Sequence, residues 1–155
     1  MIVDIRYWDS DCFLGWLNDE PDKIDECRAV LDEAEAGRIL IVTSALTLTE
    51  VIKLKGEAPL GRDKETKIID FFKNQYISVR NVDRYVAEDA RGLIWTYPAL
   101  WPKDSIHVAT AIRLHIPFLN TFDEDLIKLS GQLGDPPLRI ERPKVSSQPK
   151  LSFGP

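Results

Sequence analysis

The chain has little of what several protein classes require. Its 155 residues include two cysteines, Cys12 and Cys27, too few for a disulfide scaffold or a cysteine-based zinc cluster and in keeping with a reducing compartment. The two histidines, His107 and His115, fall on one expected helix with no cysteine beside them, so a histidine metal pair is not expected. No apolar run approaches the roughly 20 residues that span a bilayer. The opening MIVDIRYWDSD has no basic flank ahead of an apolar core, so it is not read as a secretory signal. A cytoplasmic location without membrane contact is expected. Positive charge is also scarce: 20 Lys and Arg against 25 Asp and Glu give a net charge of −5. That argues against holding nucleic acid by a broad basic face. It leaves nucleic acid open as a substrate, because carboxylates around a divalent cation form a neutral or positive site.

What is present is a globular composition, 44% hydrophobic and 29% charged, at a length that suits one domain with its own core. Strands are expected over 2–8, 39–42, 76–80, 117–121 and 138–140. Between them lie helical stretches, with Ile24, Cys27, Val30, Leu31 and Ala34 on one inner face and Gly37 as the stop. The next helix, 43–55, has Ser44 as a candidate cap and Leu46, Val51 and Leu54 inward; a helix over 63–74 turns Ile68, Ile69, Phe71 and Phe72 inward. Strands alternating with helices predict a three-layer α/β/α sandwich around a mostly parallel sheet. The domain is expected over 1–142, followed by a tail, 143–155, rich in proline, serine and lysine.

The rest of the chain is organised around Trp101 to Leu126. Asp104 directly precedes the periodic set Ile106, Ala109, Ala111 and Ile112, the place of a helix cap. Pro102 fits the approach to that helix and Pro117 its close. Asp123 follows the next strand at its carboxyl end, where open α/β sheets bind ligands. Asp9 holds the same relation to the first strand, and Glu50 lies in a helix. Gathered carboxylates suit magnesium or manganese, which take oxygen ligands and activate water at a phosphodiester. Without a cation they would raise one another's pKa values. Each acid also has an ordinary structural use: Asp104, Ser10 or Asp11 as a cap, Asp123 as a turn residue.

The wording around these acids is more specific than their spacing. YWDSD over 7–11, LTEV over 48–51, KDSIHVATA over 103–111 and NTFDEDL over 120–126 together resemble the PIN-domain family, in order and across most of the chain. The VapC-type ribonuclease toxins of toxin–antitoxin modules are the subgroup most similar. The resemblance implies a metal-dependent endoribonuclease with Mg2+ or Mn2+ as cofactor, RNA as substrate, a protein antitoxin as partner and a homodimer as assembly. By position, Asp9, Glu50, Asp104 and Asp123 match the family's acidic quartet, with Asp9 and Asp104 as principal metal ligands. Asp125 matches a further acidic position, and Ser10 and Thr121 match small hydroxyl positions that would orient a ligand water. Asp11 stands where the family most often has Asn or Ser; it is read first as a cap of the helix and second as an extra ligand.

The basic residues Lys53, Lys55, Arg62, Lys64, Arg91 and Lys103 are candidates for RNA contact, Lys53, Arg62 and Lys103 foremost, though mixed charge usually marks a solvated face. His107, one turn beyond Asp104, is read as a partly packed helix residue before a general acid. Trp8 and Trp16 are expected in the core, and WTYPALW over 95–101 as a substrate wall or subunit interface. Two rivals remain: an inactive PIN-fold interaction module, which has no use for a filled quartet, and a phosphoaspartyl protein with Asp9 as nucleophile, which lacks a suitably placed late lysine.

Overall fold

The computed structural model describes residues 3–53 and 57–145. In chain order its elements are β1 (Asp4–Trp8), α1 (Ser10–Leu17), α2 (Ile24–Glu35), β2 (Ile39–Ser44) and α3 (Ala45–Glu50). A 3-10 turn (Arg62–Lys64) leads into α4 (Glu65–Phe72), β3 (Ile77–Arg80), α5 (Arg84–Thr96) and α6 (Pro102–Arg113). Then come β4 (Phe118–Asn120), α7 (Glu124–Ile127) and β5 (Arg139–Glu141). The strands form one five-stranded sheet in the order β3-β2-β1-β4-β5, with every pair parallel. The chain winds outward from β1 through β2 to β3, then crosses back to lay β4 and β5 on the other side. Its winding therefore reverses between β1 and β4, and the carboxyl ends of those neighbours flank the crevice where such sheets bind ligands.

The pleat explains the two cores. Successive side chains of a strand point to opposite faces. Trp8 packs with Cys12, Phe13, Leu17, Val30, Ile39 and Ile41 under α1 and α2, while Tyr7 packs with Val42, Val108, Leu119 and Leu138 on the α6 side. A sheet covered on both faces needs apolar residues at nearly every position, as ILIV in β2 supplies. Each large side chain buried there contributes about 1.5–3 kcal/mol. Gly37 follows α2 with φ +80°, a left-handed conformation that glycine adopts without penalty. Past β5 the chain stays on the sheet, since the buried Arg6 guanidinium donates to the Lys144 carbonyl at 2.6 Å.

Several local expectations are corrected. The N-cap of α1 is Asp9, and neither Ser10 nor Asp11 caps it; the side chain of Asp9 accepts from the Asp11 N–H. Likewise α6 begins at Pro102 with Trp101 as its cap residue, so Asp104 sits within the first turn. Proline suits that first position because its missing N–H would have had no helical partner. Ser44 does cap α3, but the helix ends at Glu50, where Val51 turns to ψ 53°. Glu50 is thus a C-terminal residue of a short helix, and Leu46 is half-buried. Ile69 is exposed, whereas Ile68, Phe71 and Phe72 pack inward as expected. Ile2, Leu54, Lys55 and most of the expected tail, 146–155, lie outside the described residues.

Candidate active site

Asp9 leaves the end of β1 and turns its carboxylate across the crevice. Its Oδ1 accepts from the Asp11 N–H at 3.2 Å, and its Oδ2 accepts from the Thr121 hydroxyl at 2.6 Å. Thr121, fully buried just past β4, also receives the Asp123 N–H at 3.1 Å. One hydroxyl therefore ties the carboxyl ends of β1 and β4 together. Burial pushes the Asp9 carboxyl well above the usual aspartate range; the neighbouring Asp11 carboxyl adds to this, Thr121 offsets part, and the Asp104 charge raises it further.

Asp11 does something other than cap a helix. Its Oδ2 accepts from the Phe122 N–H at 3.0 Å and lies 3.2 Å from the Thr121 hydroxyl, so it bridges α1 to the loop after β4. Its Oδ1 is buried without a hydrogen-bond partner among the described residues. Asp9, Asp11 and Cys12 hold potential ligand atoms within 4.8 Å of one another. The sulfur is the odd member. The Cys12 thiol is pushed up by burial and donates to the Asn120 carbonyl, so it stays protonated and committed elsewhere. Glu50, Asp104 and Asp123 do not join that set at so short a distance.

They stand at the next remove. Burial, then the Asp123 charge, raises the Asp104 carboxyl; His107 offsets this, Glu50 adds to it, and Lys103 offsets it again. Asp104 is therefore within electrostatic reach of Asp9, Glu50 and Asp123. Asp123 caps α7, its Oδ1 accepting from the Asp125 N–H at 2.9 Å. Asp125 faces outward and pairs with Lys128 at 3.6 Å. Glu50 comes from α3 on the far side of β1. Its Oε1 lies 2.7 Å from His107 Nε2, and its Oε2 lies 3.7 Å from Lys103 Nζ.

A cleft of about 750 Å³ opens beside these acids, lined by Leu100, Trp101, Lys103, Asp104, Asp123 and Asp125. Trp101 is 73% exposed at its rim; Trp95, 76% exposed, lies in the last turn of α5 rather than in a loop, and Tyr97 is half-buried. Trp8 is buried as expected, while Trp16 is half-buried against Arg28. Among the basic candidates Lys103 reaches the acids. Arg62 instead lines a separate groove with Leu48, Ile52, Leu60, Ile68 and Ile69, and pairs with Glu65 at 3.3 Å. Lys53 is exposed beyond the end of α3, and Arg91 lies over the Trp95 ring.

The sequence suggested no site role for Tyr7 and read His107 as a partly packed helix residue; the structure buries both and joins them. The histidine is 2% exposed, and its Nδ1 lies 2.6 Å from the Tyr7 hydroxyl. A position one turn from Asp104 was its only visible signal; Tyr7 gave none beyond a strand residue.

A family model described as PIN domain matches residues 6–132, most of the chain. The chain belongs to the PIN-domain family. This PIN domain is similar in structure to Mycobacterium tuberculosis VapC20, a sarcin–ricin loop cleaving toxin, with a TM-score of 0.64 at 15% identity, over 78% of this chain and 92% of that one. It is similar to a chain of a toxin–antitoxin complex from Klebsiella pneumoniae, with a TM-score of 0.60 at 20% identity over 90% and 99% of the two chains. A chain of the Neisseria gonorrhoeae FitAcB structure gives 0.59 at 18% identity over 89% and 97%. At these identities the likeness bears on the fold. No curated protein sequence matches the chain.

The donor set of this PIN domain fits a hard divalent cation. It offers carboxylate oxygens, with one of them, Asp11 Oδ1, buried and unpartnered, and two carboxyls, Asp9 and Asp104, held above their ordinary pKa by burial and by their neighbours. A cation relieves all three conditions. No helix among the described residues is long and apolar enough to cross a membrane.

Proposed function

We propose that this PIN domain is a divalent-metal-dependent endoribonuclease, the toxin of a toxin–antitoxin pair similar to VapC proteins, working in the cytoplasm as a homodimer restrained by a protein antitoxin. The observation that carries the reading is the electrostatic grouping of Asp9, Asp104, Asp123 and Glu50 at the crevice between β1 and β4, with Asp9 and Asp104 both pushed toward protonation. Asp9 and Asp104 would be the principal ligands of Mg2+ or Mn2+, with Asp123, Glu50 and the uncapped Asp11 completing the set. A cation held there supplies charge neutralisation and water activation for in-line attack on a phosphodiester.

The chain's own residues do the rest. Thr121 orients Asp9 by its 2.6 Å hydrogen bond, and so keeps the acids of β1 and β4 in register. Asp104, carried on the first turn of α6, faces the cleft that admits the RNA backbone. Trp101 at the rim offers a ring on which an unpaired base stacks. Lys103, largely exposed, contacts phosphate as RNA enters. Ser10 would help orient a ligand water, and Asp125 would act as a secondary acid beside Asp123. Lys53 and Arg62 contribute to RNA binding only where the strand extends beyond the cleft. The structural neighbours support this reading because one of them is described as a toxin that cleaves the sarcin–ricin loop and another belongs to a toxin–antitoxin complex.

The test is cleavage of a mixed cellular RNA pool with Mn2+ by the wild type, Asp9→Asn and Asp104→Asn. Metal-dependent cutting lost in both folded variants supports the assignment. No cutting and no Mn2+ binding by the wild type would leave the chain as an inactive interaction module.

A further inference from the structure

We propose that Tyr7 and His107 are positioning residues, a buried two-residue relay that fixes the orientation of the Glu50 carboxylate. The inference rests on the reading of Glu50 as part of a metal-binding set. Glu50 is the last residue of a six-residue helix and has a long side chain whose direction its own element does not determine. Two other elements determine it instead. His107 of α6 lies 2.7 Å from Glu50 Oε1 through Nε2, and Tyr7 of β1 lies 2.6 Å from His107 Nδ1. The two rings pack edge to face at 5.6 Å between centroids, with the phenol fully buried and the imidazole 2% exposed. Neither ring has room to turn.

The hydrogen positions follow from the chemistry of the three groups. Glu50 Oε1 is the acceptor in its 2.7 Å contact, so His107 Nε2 carries the hydrogen that lies between them. The Tyr7 hydroxyl, which can donate, then faces His107 Nδ1 as its acceptor at 2.6 Å. One oxygen of Glu50 is thereby committed. The other, Oε2, has among the described residues the 3.7 Å contact with the exposed Lys103 and is the oxygen left for a cation. Metal-ligating groups are commonly oriented by such outer partners, and loss of one typically weakens metal binding about 10- to 100-fold. Because α6 carries both Asp104 and His107, one helix supplies an acid directly and aims a second through its neighbour.

Three measurements on the full chain test the relay. Nitrogen-detected NMR of metal-free wild type should show one histidine with its hydrogen on Nε2 alone, and Tyr7→Phe should broaden or mix that state. Calorimetric titration with MnCl2 should show about 10- to 100-fold weaker binding for Tyr7→Phe. His107→Gln, whose amide can still donate to Glu50, should bind between Tyr7→Phe and the wild type. A hydrogen found on Nδ1 of the buried ring, or Mn2+ affinity unchanged in both folded variants while the wild type binds, overturns the relay and leaves the metal reading standing. Failure of the wild type to bind Mn2+ overturns the metal reading itself, and the relay's purpose with it. Should Tyr7→Phe not fold, the wild-type spectrum and His107→Gln still decide.

Discussion

Replacing Asp9 by asparagine should stabilise the metal-free protein and remove its response to metal. The side chains are nearly isosteric, so no cavity opens. The amide oxygen can keep the Asp11 N–H, and the amide nitrogen can donate to the Thr121 oxygen, reversing the 2.6 Å bond that Thr121 now gives. What disappears is a buried charge beside Asp11 and within reach of Asp104. The sign follows from the direction of the shift. The folded-state pKa of Asp9 is raised above the ordinary 3.8, so its favourable contribution is complete below that value and is lost as pH rises toward the folded pKa. The stability gap between Asp9→Asn and wild type should therefore widen from pH 4 upward. A gain of about 0.5–2 kcal/mol at neutral pH, the common yield of a single stabilising substitution, corresponds to roughly 1–8 °C in Tm for a chain of this size. Thermal unfolding in EDTA across that pH range measures it. Adding MnCl2 should then invert the order: at 100 times Kd a ligand stabilises the folded state by about 2.7 kcal/mol, and only the wild type binds well. A variant less stable than wild type in EDTA by the same margin at every pH would refute the reasoning.

Thr121→Val keeps the shape of a fully buried residue but strips Asp9 and the Asp123 N–H of their shared partner; a loss of about 2 kcal/mol by urea unfolding is expected, with weaker Mn2+ binding. Leu119→Ala, at a fully buried position in β4, should cost about 2–5 kcal/mol and show as a lower urea midpoint with unchanged slope. Trp101→Ala removes an exposed ring, so stability should hold within about 0.5 kcal/mol while the KM for RNA rises; one lost stacking contact of about 1–3 kcal/mol predicts a rise of roughly 5- to 150-fold. An unchanged KM would exclude Trp101 from the substrate path.

The parts of the site that the sequence displayed were local ones. A carboxylate after an apolar run, as with Asp9 after YW or Asp123 after FLNTF, reads as a strand's carboxyl end because period and turn chemistry act over a few residues. Details of one turn were harder. Asp9 rather than Ser10 or Asp11 caps α1, and Trp101 rather than Asp104 stands before α6, because a cap is chosen by the exit angle of the preceding strand or loop. Ile69 fits an inward helical pattern, yet α4 turns it out, since a short helix packed through Phe71 and Phe72 on Phe13 buries only a narrow stripe.

By itself, then, the sequence determined the alternating elements, the two-sided parallel sheet and the kind of chemistry its acids could support. These depend on hydrophobic period and residue type, both of which are written along the chain. Tertiary structure alone decided which acids share a charge field and which neighbours hold them. Thr121 meets Asp9 across 112 positions, and Tyr7 meets His107 across 100. Such contacts depend on strand order and on where a helix lies over the sheet, and no local pattern encodes them. The strand order β3-β2-β1-β4-β5 brings Asp9 and Thr121 to one crevice, and the packing of α6 over β1 brings His107 to Tyr7 and Glu50. That packing is a compromise among all the buried side chains at once.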